Sequence, residues 1–312
     1  MKTFCVTIDT EPDCDIHWRR SQPLTFESVT FGIPQILRPI WETFGIKPVY
    51  FVSPEVVENE QCCRALRNEM RRGAEIGTHL HSEYIGPQKK HGDFAGTASD
   101  EFPCYAYDTE IESAKIKNLT ELIEKNFGTR PVSYRAARYG ADIDTIKIIE
   151  KLGYKVDSSV TPGVSWKKQG GPDHSRAPKQ PYFISPQDYY SPGTSGILEV
   201  PITISGKRFF LKALLSGRWV FYRWLRPTHM TGFEMKTLAA EFARSFSEPA
   251  LNMMFHSMEV LPGKTPFVRT KFGQKMYLNR LTVILGYITK LGFESRTLAE
   301  LYDDMKADKA KQ

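Results

Sequence analysis

The sequence contains no uninterrupted run of the ~18 apolar residues that a membrane-spanning helix needs. Its five cysteines form no CxxC pair, so the spacing typical of a structural zinc module is missing. The 312 residues show no internal repeat and no low-complexity tract. These absences argue against a membrane span, a cysteine-based zinc module and a repeat architecture, and leave an ordinary globular protein with free thiols.

Charge and cysteine usage give further limits. The net charge is only +6, and Lys and Arg are spread along the whole chain, so no nucleic-acid-binding surface is indicated, although an acidic or phosphate-bearing substrate is compatible. An odd number of cysteines is typical of a reducing compartment. Because Met1 is followed almost directly by an apolar β-branched run, with no signal peptide, we expect a cytoplasmic location.

Short β-branched runs alternate with longer amphipathic stretches, which predicts an α/β protein. The predicted strands are Thr3–Ile8, Pro48–Val52, Ala74–Thr78, Val132–Tyr134, Lys155–Asp157, Ile197–Thr203, Asn252–Phe255 and Phe293–Ser295. The predicted helices are Ser28–Phe44, Pro54–Arg72, Tyr107–Phe127, Ile143–Leu152, Glu234–Phe246, Leu278–Leu291 and Leu298–Lys306. Repeated strand-then-helix order favours one barrel-like domain over residues 1–305, followed by a charged tail, 306–312.

Two segments interrupt this alternation. Thr161–Gly196 is rich in Pro, Gly and Tyr and predicts a long structureless connection, which either packs on itself at the surface or lines a substrate cleft. Lys207–Arg226 interleaves basic residues with bulky aromatics. We expect a core-packing helix with outward-reaching arginines there. The alternative is a membrane-surface helix for a lipid-linked substrate. In it, Trp219, Phe221 and Trp224 lie at the headgroup boundary, and Arg218, Arg223 and Arg226 meet phosphates.

The candidate functional residues lie where predicted strands end. Asp9 and Glu11 follow the first strand, His79 and His81 follow another, and His256 follows a third. Because parallel strands gather their carboxyl ends on one face, we expect these side chains to meet there. Carboxylate and imidazole ligands suit zinc or a similar divalent ion, and a remaining acid and histidine can move protons. The pattern predicts a metal-dependent hydrolase.

These pieces together resemble the polysaccharide deacetylases, the NodB-homology group of carbohydrate esterase family 4. The similar segments, in family order, are Thr7–Asp13 (TIDTEPD), Glu75–His81 (EIGTHLH), Ser133–Gly140 (SYRAARYG), Asp157–Val160 (DSSV), Met254–Ser257 (MFHS) and Gly292–Leu298 (GFESRTL). Each segment alone is a weak signal, but their order along almost the whole chain makes the resemblance specific.

The resemblance implies a single distorted (β/α) barrel and metal-assisted hydrolysis of an N-acetyl or similar amide on a sugar. In that family's pattern, Asp9 is the general base that takes a proton from the attacking water. Arg135 keeps Asp9 ionised by charge pairing. The backbone N–H of Tyr139 faces the developing oxyanion, and His256 protonates the departing amine.

The chain departs from the family pattern at both sets of metal ligands. Most members have a second Asp directly after the base, whereas Thr10 stands at that position here. Glu11 is the nearest carboxylate, and some related subgroups space the two acids in this way. We therefore expect Glu11 to be the carboxylate ligand.

The second departure concerns the histidines. The family's second histidine lies four residues after the first, but here that position is Glu83, and the second imidazole is His81. Because residues two apart share one face of a strand, His79 and His81 can bind one ion together. Glu83 or His91 remain alternatives for one of the two ligands. The expected cofactor is a divalent ion, with zinc first.

Three functions remain open from the sequence. The first is a sugar N-deacetylase acting on a nucleotide- or lipid-linked glycan precursor. The second is an amidase for cyclic amides or other non-sugar substrates, and the third is a glycan-binding pseudoenzyme that has lost its metal because of Thr10 and the shifted histidine. Three further histidines, His17, His174 and His229, are expected to be structural.

Overall fold

The computed structural model describes residues 1–89, 102–208 and 220–309. Its strands are β1 Thr3–Thr10, β2 Pro48–Val52, β3 Glu75–Leu80, β4 Ser133–Ala136, β5 Val156–Asp157, β6 Tyr182–Ser185, β7 Asp188–Pro192, β8 Leu198–Glu199, β9 Ile204–Arg208, β10 Val220–Trp224, β11 Ala250–His256 and β12 Glu294–Ser295. Seven of them pair in parallel in the order β11-β1-β2-β3-β4-β5-β8, while β6 and β7 extend the sheet as antiparallel strands.

Helices connect the parallel strands. They are α1 Arg38–Phe44, which continues a π-helical segment Ser28–Leu37, α2 Pro54–Val57, α3 Glu60–Met70, α4 Pro103–Ala106, α5 Thr109–Phe127, α6 Ile143–Lys151, α7 Gly232–Ser245, α8 Lys271–Lys290 and α9 Leu298–Lys309. Within the described ranges, no helix combines the length and the apolar character needed to cross a bilayer. The expected tail from residue 306 begins inside α9.

The parallel sheet curls back toward its own first edge. The backbone N–H of Thr203, in the chain just after β8, donates to the carbonyl of Asn252 in β11 at 3.0 Å. The backbone N–H of Asn252 donates in return to the Thr203 hydroxyl at 2.8 Å. Because the two ends of the parallel sheet meet in this way, the expected distorted (β/α) barrel is confirmed.

Alternation along the strands decides which side chains enter the barrel. Cys5 and Phe51 belong to a small interior cluster that Leu298 and Leu301 of α9 close from below. Their sequence neighbours on the same strands pack instead against the surrounding helices. Since successive side chains of a strand point to opposite faces, Asp9 follows Cys5 on the interior face and ends at the top of the barrel.

The prediction of a helix over 207–226 is wrong for the described part of that segment. Ile204–Arg208 and Val220–Trp224 pair as antiparallel strands, with Ile204 opposite Trp224. Basic residues and bulky aromatics occur together in amphipathic helices and in strands, so this composition did not separate the two. Residues 209–219 lie outside the described ranges.

The long connection 161–196 contains more structure than its Pro and Gly content predicts. Tyr182–Ser185 and Asp188–Pro192 form a hairpin, and Tyr182 pairs with Glu199 of β8. The connection is therefore anchored to the barrel edge, which corrects the expectation of a structureless segment. In its first part, residues 161–181, the Trp166 ring stacks on Tyr139, which follows β4.

The predicted helix Pro54–Arg72 is two helices. The chain is extended at Asn59, whose side-chain oxygen accepts hydrogen bonds from the backbone N–H groups of Gln61 and Cys62. Asn59 is thus an N-cap, a signal that lay inside an otherwise continuous helical pattern. Similarly, α8 begins at Lys271 and not at Leu278, because Thr270 caps it.

Candidate metal-dependent active site

The first strand delivers two acids to the top of the barrel. All of β1 is buried, and Asp9 and Glu11 lie at its carboxyl end. The intervening Thr10 turns away, and its hydroxyl donates back to the carbonyl of Ile8 at 3.0 Å. Thr10 therefore takes no part in the acidic cluster, and Glu11 enters it instead.

Strand β3 delivers the two histidines. Gly77, His79 and His81 follow each other on one face, as residues two apart do on a strand. A side chain at Gly77 would collide with the ring of Phe51, at 2.7 Å from a Cβ. The Nε2 atoms of His79 and His81 lie 3.2 Å and 3.3 Å from Oε1 of Glu11. These three residues form the metal-ligand cluster found among the described residues, with all ligand atoms within 4.8 Å of one another.

The hydrogen bonds of the two rings show that this cluster fits a cation. Nδ1 of His79 lies 3.0 Å from the backbone carbonyl of Arg135, and Nδ1 of His81 lies 3.4 Å from Oε1 of Glu83. Both oxygens only accept, so each Nδ1 carries a hydrogen, and in its neutral form each ring presents a lone pair at Nε2. These lone pairs face the Glu11 carboxylate, a repulsive arrangement unless a positive charge lies between them. Such partners on the far nitrogen are typical of metal-ligating histidines.

A proton on His81 would place one positive charge between the rings and Glu11, and His79 would still present its lone pair there. Burial lowers the pKa of His81, but the Glu11 carboxylate outweighs this effect and raises it to about 9. Burial raises the pKa of Glu11, but the imidazoles of His81 and His79 hold it well below its ordinary value. A divalent ion at this point would take the place of the proton on His81. The donor set of one carboxylate and two imidazoles therefore fits a metal such as zinc.

Asp9 lies beside this cluster and is held by a buried arginine. Arg135 donates to Oδ1 of Asp9 at 2.8 Å, to the Thr7 hydroxyl at 2.9 Å, and to the carbonyl and hydroxyl of Ser158 at 2.8 Å each. Its guanidinium also packs 4.4 Å from the ring centre of Phe51. Burial raises the pKa of Asp9, but the charge of Arg135 outweighs it and lowers the value overall. Asp9 is therefore an ionised carboxylate with Oδ2 3.9 Å from Nε2 of His79.

His256 borders the cluster from the neighbouring strand. It pairs in register with Asp9, and its Nε2 lies 3.8 Å from Oε1 of Glu11. Its Nδ1 lies 3.0 Å from Oε1 of Glu259, and Trp18 contacts the ring edge-on with centres 5.1 Å apart. One nitrogen therefore faces the site and the other a buried carboxylate.

Glu259 and Arg226 were not predicted as residues of this site. Arg226 is buried, forms an ion pair with Glu259, and has Nη2 3.0 Å from Nδ1 of His256. Burial raises the pKa of Glu259, but Arg226 and His256 outweigh it and lower the value. The three-residue spacing from His256 to Glu259 was a usable signal for this pair, whereas nothing in the sequence joins Arg226 to it.

Arg20 is a second residue that the sequence did not indicate. Its side chain is nearly buried, forms an ion pair with Glu55, and lies 3.8 Å from Oε2 of Glu11. Its guanidinium stacks 3.7 Å from the ring centre of Tyr84. Arg20 therefore approaches the oxygen of Glu11 that does not face the histidines, which leaves Oε1 for the metal position.

Tyr139 lies on a strained turn at the end of β4. Arg138 and Tyr139 have φ values of 55° and 61°, a left-handed conformation that non-glycine residues rarely adopt and that costs on the order of 1–3 kcal/mol at each position. The Tyr139 ring stacks on Trp166 and contacts Trp224. Such strain is often found at functional sites, and the role of the Tyr139 N–H as an oxyanion donor stays a prediction.

A cavity of about 450 Å³ opens above these residues. Besides the site residues, its wall contains the aromatic side chains Trp18, Tyr84, Phe102, Tyr139, Trp166 and Phe267. Trp166 comes from the 161–196 connection, so that segment contributes to the cavity wall. A wall of this kind suits a substrate with apolar ring faces and scattered hydroxyl groups.

The remaining histidines have other surroundings. His174 is fully buried, accepts a hydrogen bond from the backbone N–H of Thr161 at 3.0 Å, and has a pKa lowered to about 4 by burial. His229 contacts the rings of Trp224 and Phe267 away from the Glu11 cluster. Glu83 lies behind His81 and not at the metal position. His91 lies outside the described residues.

The structure corrects the expected use of two arginines in the 207–226 segment. Arg223 is buried and forms an ion pair with Glu241 at 2.5 Å, and Arg226 is buried against Glu259. Neither side chain is free to meet headgroup phosphates. Trp224 is half-buried against Tyr139, while Arg218 and Trp219 lie outside the described ranges.

No protein-family model and no curated protein matches this chain. Many solved structures that align with most of it are polysaccharide deacetylases of family CE4, at low sequence identity. They include the Xyl-CE4 domain of a multidomain xylanase from the hindgut metagenome of Trinervitermes trinervoides, with 10% identity, a TM-score of 0.49, and coverage of 98% of this chain and 91% of that chain.

Two further similar structures differ in their described activity. A family 4 acetyl xylan esterase from Clostridium thermocellum, in complex with a cobalt ion, has 14% identity, a TM-score of 0.46, and coverage of 97% of this chain and 91% of that chain. BA3943 from Bacillus anthracis, described as a CE4 family pseudoenzyme, has 9% identity, a TM-score of 0.48, and coverage of 96% of this chain and 65% of that chain.

Proposed function

We propose that this protein is a metal-dependent hydrolase that removes an N-acetyl or similar acyl group from a sugar or glycan precursor. One observation carries the proposal. The ligand atoms of Glu11, His79 and His81 converge on one point, and the Asp9 carboxylate and the His256 imidazole border the same point within 4 Å of a ligand atom. Hydrolysis of an amide needs this combination of a base and an acid on either side of one carbonyl.

The metal would be held by Oε1 of Glu11 and by Nε2 of His79 and His81. A divalent ion bound there would polarise the acyl carbonyl and make an adjacent water more acidic. Zinc is our first choice because three ligands of this type, with a further position left open, are typical of catalytic zinc sites.

Asp9 is suited to take the proton of the attacking water. Its charge is fixed by Arg135, which occupies Oδ1 and leaves Oδ2 directed toward the metal ligands. As the water proton moves to Asp9, the water oxygen bonds to the acyl carbon. Arg135 donates four hydrogen bonds, which fix its position, and a guanidinium has no acceptor, so it orients Asp9 and cannot take that proton.

His256 is suited to protonate the leaving amine. The C–N bond breaks as the nitrogen takes a proton from Nε2 of His256, and the products are the free amine and the carboxylic acid. The Glu259 carboxylate at Nδ1 fixes the orientation of the ring, so that Nε2 faces the site. The Tyr139 N–H would donate to the developing oxyanion.

The test combines elemental analysis with a substrate panel. The purified protein should hold close to one divalent ion per chain and should release acetate from N-acetylated saccharides. Turnover of cyclic amides, with saccharides untouched, would support the amidase alternative and contradict this proposal. A protein that binds glycans but neither holds nor responds to zinc or cobalt would be a pseudoenzyme, and the proposal would be wrong.

A further inference from the structure

The first turns of α8 present an unusual surface beside the cavity. Residues 260–293 contain no Asp or Glu, although the chain as a whole has 36 acidic residues. The same stretch contains six basic residues, Lys264, Arg269, Lys271, Lys275, Arg280 and Lys290. The overall composition does not reveal this local excess of positive charge, because acidic residues elsewhere in the chain balance most of it.

Exposed apolar side chains accompany these charges. Phe272 is 73% exposed and Met276 is 39% exposed, and as residues four apart they share one face of α8. Lys271 and Lys275 repeat the same spacing on the adjoining face, and Arg269 precedes the helix. We call Phe267, Arg269, Lys271, Phe272, Lys275 and Met276 the α8 patch.

The charges of the α8 patch are available for a partner. Among the described residues, no carboxylate lies within ion-pair distance of Arg269, Lys271 or Lys275. Lys264 differs, because it forms ion pairs with Asp13 and Glu27. An exposed phenylalanine ring gains free energy when it enters an apolar phase. Unpaired cations beside it are attracted to negative charge at the border of such a phase.

The α8 patch is continuous with the cavity wall. Phe267 is 44% exposed, contacts Trp18 with ring centres 5.4 Å apart, and forms part of the cavity wall with His256. A surface that Phe272 and the two lysines contacted would therefore lie next to the opening above the candidate metal site.

We propose that the α8 patch binds the surface of an anionic lipid bilayer. Phe272 and Met276 would enter the boundary between headgroups and acyl chains, while Arg269, Lys271 and Lys275 would meet the phosphates. This inference does not depend on the reaction proposed above. In the sequence-based alternative, Arg223 and Arg226 were to meet the phosphates, but both are buried. The cations of the α8 patch face solvent and take that role here.

The experiment measures sedimentation of the full chain with vesicles of phosphatidylcholine alone or with about one third phosphatidylglycerol. We expect binding to the anionic vesicles at low salt and release at high salt, since screening shortens the reach of the cations. Lys271→Gln with Lys275→Gln should weaken binding about fivefold for each lysine removed. Phe272→Ser should weaken it severalfold.

Phe233→Ser is the matched control. Phe233 is 76% exposed and, like Phe272, is the second residue of a helix capped by a threonine. Its neighbour in the first turn is Glu234, whereas Phe272 lies between Lys271 and Lys275. The Phe233→Ser variant should bind anionic vesicles as strongly as the unmodified protein does. The proposal is overturned if the protein does not bind anionic vesicles at low salt, binds neutral vesicles equally, or keeps its affinity in the α8 variants. Thermal unfolding of each variant shows that the fold is intact, and the readout is separate from hydrolysis.

Discussion

Asp9 and Glu11 stand two residues apart, and their neighbours give them different chemistry. Asp9 accepts from the Arg135 guanidinium, which three further hydrogen bonds hold in place, so it is a fixed anion beside the metal position. Glu11 faces two imidazoles with one oxygen and Arg20 with the other. The same functional group is therefore suited to proton transfer at one position and to metal binding at the other.

Asp9→Asn should abolish turnover while metal content stays near that of the unmodified protein. The amide cannot accept the water proton, but it keeps the size of the carboxylate and is not needed by the three ligands. Metal content per chain and the rate of acetate release check this. His79→Ala is the matched variant and should lose both metal and activity. Loss of metal in Asp9→Asn would make Asp9 a ligand.

His256→Ala should lower kcat by about 10²–10⁴-fold, the usual contribution of one general acid. Glu259→Gln should give a smaller loss, since the ring remains and only its charged partner is removed. The distinguishing readout is the substrate: a substrate with a good leaving group should be much less affected by His256→Ala than an alkyl amide. Equal losses on both substrates would contradict the role of His256 as an acid.

At the scale of helices and strands, the contact between α5 and α6 contains a titratable carboxyl group, Glu112, that lies outside the candidate site. Glu112 of α5 is buried and accepts a hydrogen bond from the Thr145 hydroxyl of α6 at 2.8 Å. Burial, together with Asp142 and Asp144, raises its pKa from 4.5 to about 7. Below pH 4.5 the carboxyl is protonated in the folded and unfolded states alike, so it does not alter stability there.

As the pH rises from 4.5 through about 7, the unfolded chain releases this proton first, and folding stability is lost. Glu112→Gln keeps the acceptor for Thr145 without the charge, so above pH 8 it should be more stable than the unmodified protein by up to ~3 kcal/mol. Urea unfolding at several pH values measures this difference. Glu110→Gln, an exposed change on the same helix, controls for the loss of one negative charge. A constant difference at all pH values would contradict the assignment.

At the scale of the whole molecule, the metal position joins strands that are not neighbours. Glu11 follows β1, whereas His79 belongs to β3 and His81 follows it, with β2 between β1 and β3. An ion bound only by the folded chain therefore stabilises the barrel by mass action, ~2.7 kcal/mol at a free concentration of one hundred times Kd.

Removing the ion with a chelator should lower Tm by roughly 5 °C, and adding zinc or cobalt should restore it. Calorimetry or dye-based melting measures the shift. His79→Ala should show no response to either treatment. A Tm that is the same with chelator and with excess zinc would contradict metal binding at this cluster.

The sequence by itself determined the strand ends and the residues placed there. Asp9, His79 and His256 follow β-branched runs, and alternation fixes which side of a strand each faces, so a local pattern suffices to predict that they meet. The same local reasoning selected Glu11 over Thr10. It failed where two structures share one pattern, as in the 207–226 segment, because aromatic and basic residues suit a helix and a strand equally.

Only the tertiary structure decided the partners of these residues. Arg20, Arg226 and Glu259 reach the site through the folding of a loop, a hairpin and a turn, and the patterns around them did not separate them from surface charges. The orientation of each histidine ring is set by a contact with Arg135 or Glu83. Hydrogen bonds and ion pairs act over a few ångströms, so they depend on where the chain returns in space, and the order of residues along the chain does not reveal them.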